Sequence, residues 1–259
     1  MTRAITARAA RGVLGAAGLL AAAEIAGRTG LMDPELLPLV STVLARAGEL
    51  TAEAAFRDAI ATTLQMWATG LALAVAIAVP VGALIGTVPL ADRLTGPLLE
   101  LLRPVPPVAL IPLALLAFGS TGRMGVAVVT FASCWPVLIN TVRGLRGTDP
   151  VAVDTLRTFG FGRRAVLWHV ALPGAAPFIA TGVRVAAGIA LIVTVTAELY
   201  AGGGEGLGTW LLEAGASAGE TDVILAAVVW AGVLGLVADT LLAGASRRLF
   251  HWQPAARPA

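Results

Sequence analysis

The sequence predicts an all-α integral membrane protein with about six transmembrane helices. Hydrophobic residues make up 57% of the 259-residue chain and charged residues only 13%, about half the share that is usual in soluble domains. The apolar residues also fall in runs whose lengths approach the roughly 20 residues that a helix needs to cross the hydrocarbon core. Polar, proline-rich or glycine-rich segments separate these runs, so the apolar content predicts membrane helices rather than one soluble core.

Six apolar runs are the predicted spans. They cover residues 12–26, 60–86, 104–118, 124–142, 177–197 and 223–245. The first run follows three arginines and is short, so a cleaved signal peptide is an alternative, although Glu24 weakens that pattern. We expect three regions: the first helix with an external loop over residues 1–58, a core transmembrane domain over 59–252, and a short cytoplasmic tail over 253–259.

The third predicted span is rich in proline, with Pro104, Pro106, Pro107 and Pro112. Proline removes a helical hydrogen bond and kinks the helix. In lipid such breaks survive only where protein or a water-filled cavity surrounds them. The span therefore either lies inside the bundle beside a path, or carries a kink that serves packing alone.

The arginines predict the orientation of the chain, because basic residues accumulate in short cytoplasmic loops. With the faces numbered alternately from the N-terminus, Arg28, Arg46, Arg57 and Arg123 lie on the second face. The first face carries the arginines at positions 3, 8, 11, 93, 103, 143, 146, 157, 163, 164, 247, 248 and 257. We therefore expect both termini, and the loop between spans four and five, to be cytoplasmic.

The composition also excludes several kinds of chemistry. All 18 basic residues are arginine, so the chain has neither a Walker-type phosphate-binding lysine nor a Schiff-base lysine. The net charge of +2 is spread between apolar runs, which is not typical of a nucleic-acid-binding protein. Cys134 is a lone cysteine, and His169 and His251 lack other ligands at metal spacing. We predict no catalytic, cofactor-binding or metal-binding residues.

The loop after span four predicts two short helices. Asp149 followed by Pro150 is a typical helix start, with a capping side chain and a preset first turn. Val153, Leu156 and Phe159 then recur at helical spacing and form an apolar stripe. Gly160 suits the left-handed position that ends a helix, and residues 163–170 can form the second helix. The stripe either packs on its own bundle or membrane surface, or inserts into a groove of a partner protein.

Polar residues inside the spans are candidates for a translocation path, or for hydrogen bonds between helices. In spans four and five they are Ser133, Asn140, Thr194 and Thr196. Glu198, at the outer end of span five, is either a functional group near membrane depth or a solvated interfacial carboxylate. Arg184 either snorkels to the surface or contacts lipid phosphate, and Asp239 in span six needs a partner.

The loop over residues 151–173 resembles the EAA loop of ABC importer permeases. That pattern is Glu-Ala-Ala, three residues, Gly, nine residues, then Ile-x-Leu-Pro. The matching positions here are Asp154, Thr155, Leu156, Gly160, Val170, Leu172 and Pro173. The triplet itself is Asp-Thr-Leu, which keeps the acidic charge but not the two small residues.

Four further segments are similar to the nitrate/sulfonate/taurine family of these permeases. They are residues 103–119 (RPVPPVALIPLALLAFG), 135–150, 172–191 and 197–208 (AELYAGGGEGLG). The similarity covers residues 55 to 252 and several linked motifs in one order.

This resemblance implies a permease subunit in the inner membrane, with a cytoplasmic coupling-helix loop between spans four and five. It implies cytoplasmic ATP-binding subunits, an extracytoplasmic substrate-binding protein and a pair of permease subunits, most simply a homodimer. It also implies that Val153, Asp154, Leu156, Phe159, Gly160, Leu172 and Pro173 form the ATPase-coupling loop. The implied solute is small and anionic or polar, like nitrate, a sulfonate or taurine. The alternative is an ATP-independent channel or secondary transporter, for which an internal repeat is typical, and no convincing repeat is present.

Overall fold

The structure is a computed structural model that describes residues 2–31, 33, 37–119, 121–201, 204–216 and 221–250. For residues 2–10, 13 and 121 it describes the backbone alone. The described chain is helical throughout and contains no strand, as the sequence predicts. The predicted cytoplasmic tail over residues 253–259, and His251, lie outside the described residues.

The helices follow one another with short connections. In the first half they are α1 (Thr2–Arg28), α2 (Val40–Leu50), α3 (Ala54–Thr87), α4 (Pro89–Leu102), a 3-10 turn (Pro107–Leu110), α5 (Ile111–Phe118) and α6 (Thr121–Arg146). In the second half they are α7 (Pro150–Thr158), α8 (Arg163–Val166), a π turn (Leu167–Ala171), α9 (Leu172–Ala201), α10 (Leu207–Ala216) and α11 (Thr221–Leu249).

Four of the described helices are long and apolar enough to cross a membrane. They are Ala54–Thr87, Gly122–Arg146, Arg163–Ala201 and Thr221–Leu249, and they contain predicted spans two, four, five and six. The third predicted span falls in a bent pair, Pro89–Leu102 and Pro107–Phe118, whose axes differ by 87°. Counted as one span, this pair makes five. The first predicted span lies within α1, which is helical but is not among these four.

The bend in the third span follows from its prolines. Pro107 opens the 3-10 turn and Pro112 sits in the first turn of α5, where a missing amide hydrogen costs nothing because it would have no helical partner. α5 ends at Gly119, whose φ of 63° is the left-handed conformation that glycine adopts without strain. Residues 89–102, which separate the second predicted span from the third, form α4, with Pro89 at its first position.

α9 packs most extensively against α6, and both lie in the core of the chain. One buried cluster joins Met124, Val128 and Ala132 of α6 to Ala190 and Val193 of α9. The two backbones come close at Gly182 of α9, where a β-carbon would lie 2.8 Å from the β-carbon of Asn140 and 2.9 Å from the carbonyl oxygen of Pro136. Small residues at a helix interface allow this approach in membrane proteins.

The described chain divides into two compact units. The residues up to Ala59 form the first together with Trp210–Val233, and Ile60–Thr209 form the second with the described residues from Leu234 onward. In the first unit the ring of buried Phe56 meets Trp210 and Trp230 edge-on, with centroids 5.0 and 6.5 Å away. The indole N–H of Trp230 donates to the carbonyl oxygen of Ala47. The second unit contains α4 to α9 and the candidate site residues.

Gly182→Val is expected to destabilise the protein, because the three carbons of an isopropyl group would have to enter the α6–α9 contact. Overpacking of this kind costs about 1–3 kcal/mol. The measurement is thermal unfolding of the detergent-solubilised protein, followed by tryptophan fluorescence. Gly188→Val is the matched control, since it lies on the same helix and a β-carbon there meets nothing within 4 Å. Equal melting temperatures for the two variants would contradict the close contact.

Candidate coupling loop and intramembrane polar groups

The sequence signals at the ends of α7 are present in the structure. The Asp149 carboxylate accepts a hydrogen bond of 2.9 Å from the amide of Val151, and so caps one of the helix's unpaired N-terminal amides. Pro150 occupies the first helical position. Gly160 has a φ of 82°, and its amide donates to the carbonyl oxygen of Arg157. The helix therefore begins and ends where local chemistry predicts.

The apolar stripe of α7 is divided between two environments. Val153 and Leu156 are half-buried, whereas Phe159 is 76% exposed. The same exposed side carries Val151, which is 71% exposed, and Phe161 follows just after the helix at 50%. Large apolar side chains outside a bilayer favour burial against something, so the free face of α7 is an unfilled apolar surface, defined here by Val151, Phe159 and Phe161.

The acidic residue of the Asp-Thr-Leu triplet makes a weak local contact. Asp154 lies 3.5 Å from the guanidinium of Arg157, and both side chains are mostly exposed. An exposed pair of this kind adds at most about 1 kcal/mol. The hydroxyl of Thr155 donates to the carbonyl oxygen of Val151 within the helix. Neither side chain is therefore tied to the rest of the chain.

The end of the loop is continuous with α9. α8, the π turn and α9 together form a helical segment of 39 residues, Arg163–Ala201. Leu172 and Pro173 lie at the start of α9, directly after the π turn, so Pro173 is inside the continuous segment and removes one hydrogen bond to the preceding turn. π turns are rare and are often found at functional sites. The predicted second helix over 163–170 is thus the first part of span five.

The four predicted path residues in the span interiors have different surroundings. Asn140 donates to the carbonyl oxygen of Pro136, Thr194 to that of Ala190 and Thr196 to that of Ile192, each within its own helix. Ser133 is fully buried, and its hydroxyl has no partner among the described residues. Their contribution to a path stays a prediction.

Glu198 is buried, not solvated, with 2% of its surface exposed. The hydroxyl of Thr63 on α3 donates to both carboxylate oxygens, at 3.0 and 2.9 Å. The amide of Gly208, in the first turn of α10, donates to the second oxygen at 2.9 Å. The amide of Leu207 in turn donates to the Thr63 hydroxyl at 2.8 Å. The carboxylate of span five therefore caps the N-terminus of α10, where negative charge is favourable.

Two glycines make this cap possible. A β-carbon at Gly206 would overlap the Glu198 carboxylate, and one at Gly208 would overlap the carbonyl oxygen of Val195. Gly206 and Gly208 therefore leave room for the carboxylate, so Glu198 and the last two glycines of AELYAGGGEGLG belong to one arrangement.

Arg184 and Asp239 form an ion pair between α9 and α11. Nε of Arg184 donates to one carboxylate oxygen at 2.5 Å and Nη2 to the other at 2.7 Å. This finding gives Arg184 a protein partner that neither expectation for it included, and it supplies the partner of Asp239. Sequence reasoning identified both residues as unusual, but two charges 55 positions apart carry no local signal that they meet. No cluster of His, Cys, Asp or Glu that could hold a metal is found among the described residues.

Comparison with known proteins identifies the family. The profile of the family described as "Binding-protein-dependent transport system inner membrane component" matches residues 78–251. The taurine transport permease protein TauC of Escherichia coli is 32% identical over 86% of this chain and 82% of its own length. The nitrate import permease protein NrtB of Leptolyngbya laminosa is 32% identical over 71% of this chain and 65% of its own.

The chain belongs to this family of ABC transporter permeases, in its nitrate/sulfonate/taurine branch. It is a transport subunit rather than an enzyme, and the family has its ATPase on a partner subunit. The fold agrees: a solved structure titled "Crystal structure of an amino acid ABC transporter with histidines" superposes with a TM-score of 0.59. That chain is 19% identical, and the match covers 78% of this chain and 97% of the other.

Glu198→Ala is expected to lower the stability of the permease and to release the start of α10. Removal of the acceptor leaves the Gly208 amide and the Thr63 hydroxyl unpaired in a buried site, which costs about 1–3 kcal/mol. The measurement is amide hydrogen exchange at Leu207 and Gly208, together with thermal unfolding.

Glu198→Gln is the matched variant. One carboxylate oxygen accepts both from Thr63 and from Gly208, so a glutamine amide oxygen at that position can keep both bonds. Exchange at Gly208 should therefore stay slow in Glu198→Gln and become fast in Glu198→Ala. Equally slow exchange in both variants would show that the carboxylate does not hold α10.

Proposed function

We propose that this permease receives its driving force through the loop over residues 151–173, with the free face of α7 as the surface that docks in a cytoplasmic ATP-binding subunit. The observation that carries the proposal is the exposure of Val151, Phe159 and Phe161 on and beside a helix that has no buried residue of its own. An amphipathic helix that lays its apolar face in a groove is a common recognition mode. The coupling residues predicted from sequence divide accordingly: Phe159 faces the partner, while Val153 and Leu156 face the permease.

The connection from the loop to the membrane supports transmission of movement. Because the segment from Arg163 to Ala201 is helical without interruption, a displacement of the loop by the ATPase acts directly on α9. α9 in turn packs against α6 along the core. ATP-driven closure of the ATPase subunits would then change which side of the membrane the path opens to, provided that contacts differ between the two states.

The proposed solute is a small oxyanion, because the relatives reported above are named for taurine, a sulfonate, and for nitrate. An extracytoplasmic substrate-binding protein would deliver it. The proposed assembly contains two copies of this chain around one path, and each copy has six spans, with α1 as the first and the bent pair as the third.

The proposed orientation has both termini in the cytoplasm, because the arginines on that side exceed those on the other by a wide margin. A reporter that fluoresces only in the cytoplasm, fused in turn to the N-terminus and to the C-terminus, should be bright at both ends. The same reporter inserted after Gly30, in the connection between α1 and α2, should be dark. A bright reporter at Gly30 or a dark one at either terminus would contradict the orientation.

Phe159→Glu is expected to release the ATPase subunit, because a charge would be placed on an apolar contact that excludes water. Desolvation of an unpaired charge costs several kcal/mol, so retention of the ATPase by tagged permease should fall at least about tenfold. The measurement is co-purification of the ATPase from membranes that express the whole transporter.

Leu31→Glu is the matched control. Leu31 is 80% exposed and lies at the opposite side of the membrane in the proposed orientation, so the same change there should leave ATPase retention unchanged. Loss of the ATPase in both variants would indicate general damage to the permease. Normal retention and normal transport by Phe159→Glu would exclude this face as the docking surface.

A further inference from the structure

The Arg184–Asp239 pair lies deep within the spans. Arg184 follows Leu172 by twelve residues and precedes Ala201 by seventeen, which at 1.5 Å per residue puts it about 18 Å from one end of α9 and about 25 Å from the other. Asp239 lies about 15 Å from the end of α11 at Leu249 by the same rise. The hydrocarbon core is about 30 Å thick, so both groups lie in the interior of helices that are long enough to cross it.

Arg184 differs from every other arginine of the four spans. The others within these helices lie in the first or last turns: Arg57, Arg123, Arg143, Arg146, Arg163, Arg164, Arg247 and Arg248. Arg184 alone lies in a span interior. A charged side chain there costs at least about 2.5–3.5 kcal/mol unless it faces protein or water.

The pair is not buried by the chain to which it belongs. The side chains of Arg184 and Asp239 are 47% and 46% exposed. Glu198, the other acidic group well inside the described chain, is buried and accepts hydrogen bonds from the Thr63 hydroxyl and the Gly208 amide. The pair therefore faces lipid, a second protein surface or water, and lipid is the environment that costs most.

The geometry of the pair leaves one edge of the guanidinium free. Asp239 accepts from Nε and Nη2, which form the side edge. A guanidinium has five N–H donors, and these two hydrogen bonds are the only ones that Arg184 makes among the described residues. Three N–H groups remain, two on Nη1 and one on Nη2. One from each nitrogen points along the end-on edge, which binds carboxylate-like oxyanions with two parallel hydrogen bonds.

The exposed residues around Arg184 form a continuous stripe of α9. Thr181, Arg184 and Gly188 are all exposed and recur at helical spacing. At Gly188 nothing lies within 4 Å of an added β-carbon, so there is open space one turn beyond the guanidinium. The guanidinium edge therefore has open space beside it within this stripe, while exposed Phe178, Val185 and Ile192 lie around the stripe on the same helix.

From these observations we infer that Arg184 is an anion-recognition residue on the translocation path. Its free end-on edge binds two oxygens of a small oxyanion, and Asp239 is the positioning residue that holds the guanidinium. The inference deepens the proposed function and rests on its oxyanion class of solute. Because Asp239 already neutralises part of the charge, the site holds an anion only weakly, and weak binding is what a passage needs if the solute is to leave again.

The test uses a sulfonate reagent as the probe, so it does not require the natural substrate. Gly188→Cys is made in a Cys134→Ala background, which removes the single native cysteine. The thiolate attacks 2-sulfonatoethyl methanethiosulfonate, a disulfide forms, and methanesulfinate leaves. The whole transporter, with its ATPase subunits, is assayed in lipid nanodiscs with and without ATP. Labelling is repeated with nitrate or methanesulfonate present, against gluconate at equal ionic strength.

The expected result is rapid labelling of Gly188→Cys, slowed about tenfold when nitrate or methanesulfonate is present at about ten times its Kd, because an occupied site does not admit the reagent. Arg184→Lys keeps the charge but lacks the planar edge, and should lose this protection. Arg184→Gln combined with Asp239→Asn removes both charges, so neither charge is left unpaired in the span and the variant should still fold. It should also lose the protection by nitrate and methanesulfonate. Leu241 is 68% exposed and lies two residues from Asp239, on another face of α11. Leu241→Cys should therefore react slowly with the reagent, at the same rate with and without either anion.

Three results would overturn the inference. If Gly188→Cys were as unreactive as Leu241→Cys both with and without ATP, the face of α9 that carries Arg184 would lie in lipid or against a second copy of the chain. Labelling without protection by either anion would exclude a binding site, and protection that survives the doubly neutral variant would put the anion elsewhere. Co-purification of the ATPase, measured in the same preparations, reports on the proposed docking at α7 separately, because α7 contributes no residue to this site.

Discussion

The close packing of α9 against α6 is the contact on which the rest of the molecule depends. Gly182 and Gly144 allow it, because a β-carbon at either position would press on the facing helix. In lipid, helices gain little from apolar burial as such, so tight van der Waals contact between small residues carries much of the association. α9 is thereby held as a stiff element, and the groups that matter chemically are arranged along it.

Three features of the chain follow one another along the helical segment Arg163–Ala201. The loop joins one end, Arg184 lies in the interior, and Glu198 lies near the other end. A movement applied at the loop therefore cannot be absorbed by a flexible connection before it reaches the ion pair. The Glu198 cap extends the chain of contacts further, because α3 and the start of α10 are bonded to the same carboxylate.

Local features were predictable from the sequence and long-range features were not. The boundaries of α7 follow from Asp149, Pro150 and Gly160, since a capping carboxylate, a preset φ and a left-handed glycine act on their immediate neighbours. The division of the stripe between a half-buried Leu156 and an exposed Phe159 depends on what packs against α7. Glu198 appeared solvated because its sequence position is near a helix end, but its partner Thr63 is 135 residues away. α4 was not predicted. Its leucines are interspersed with charged residues and glycine, so the segment is less apolar than the six predicted spans.

Glu198 and Arg184 show how a structural charge in a membrane protein can be separated from a functional one. Both lie on α9, and both would be costly if left unpaired in hydrocarbon. The Glu198 carboxylate is enclosed, and its donors come from a hydroxyl and a backbone amide that the fold itself supplies. Because the group is enclosed, its observed contribution is to geometry, and its contribution to a path stays a prediction.

Arg184 has the opposite arrangement, because its partner uses only one edge of the guanidinium and half of the side chain is open. In hydrocarbon a half-exposed charged pair is costly, so a pair with a purely structural contribution would be expected to face protein. A group that must bind and release an anion in each cycle needs both exposure and a counter-charge that weakens its hold. The incomplete burial of this pair is therefore the feature that a passage for anions requires and that a structural contact would be expected to lack.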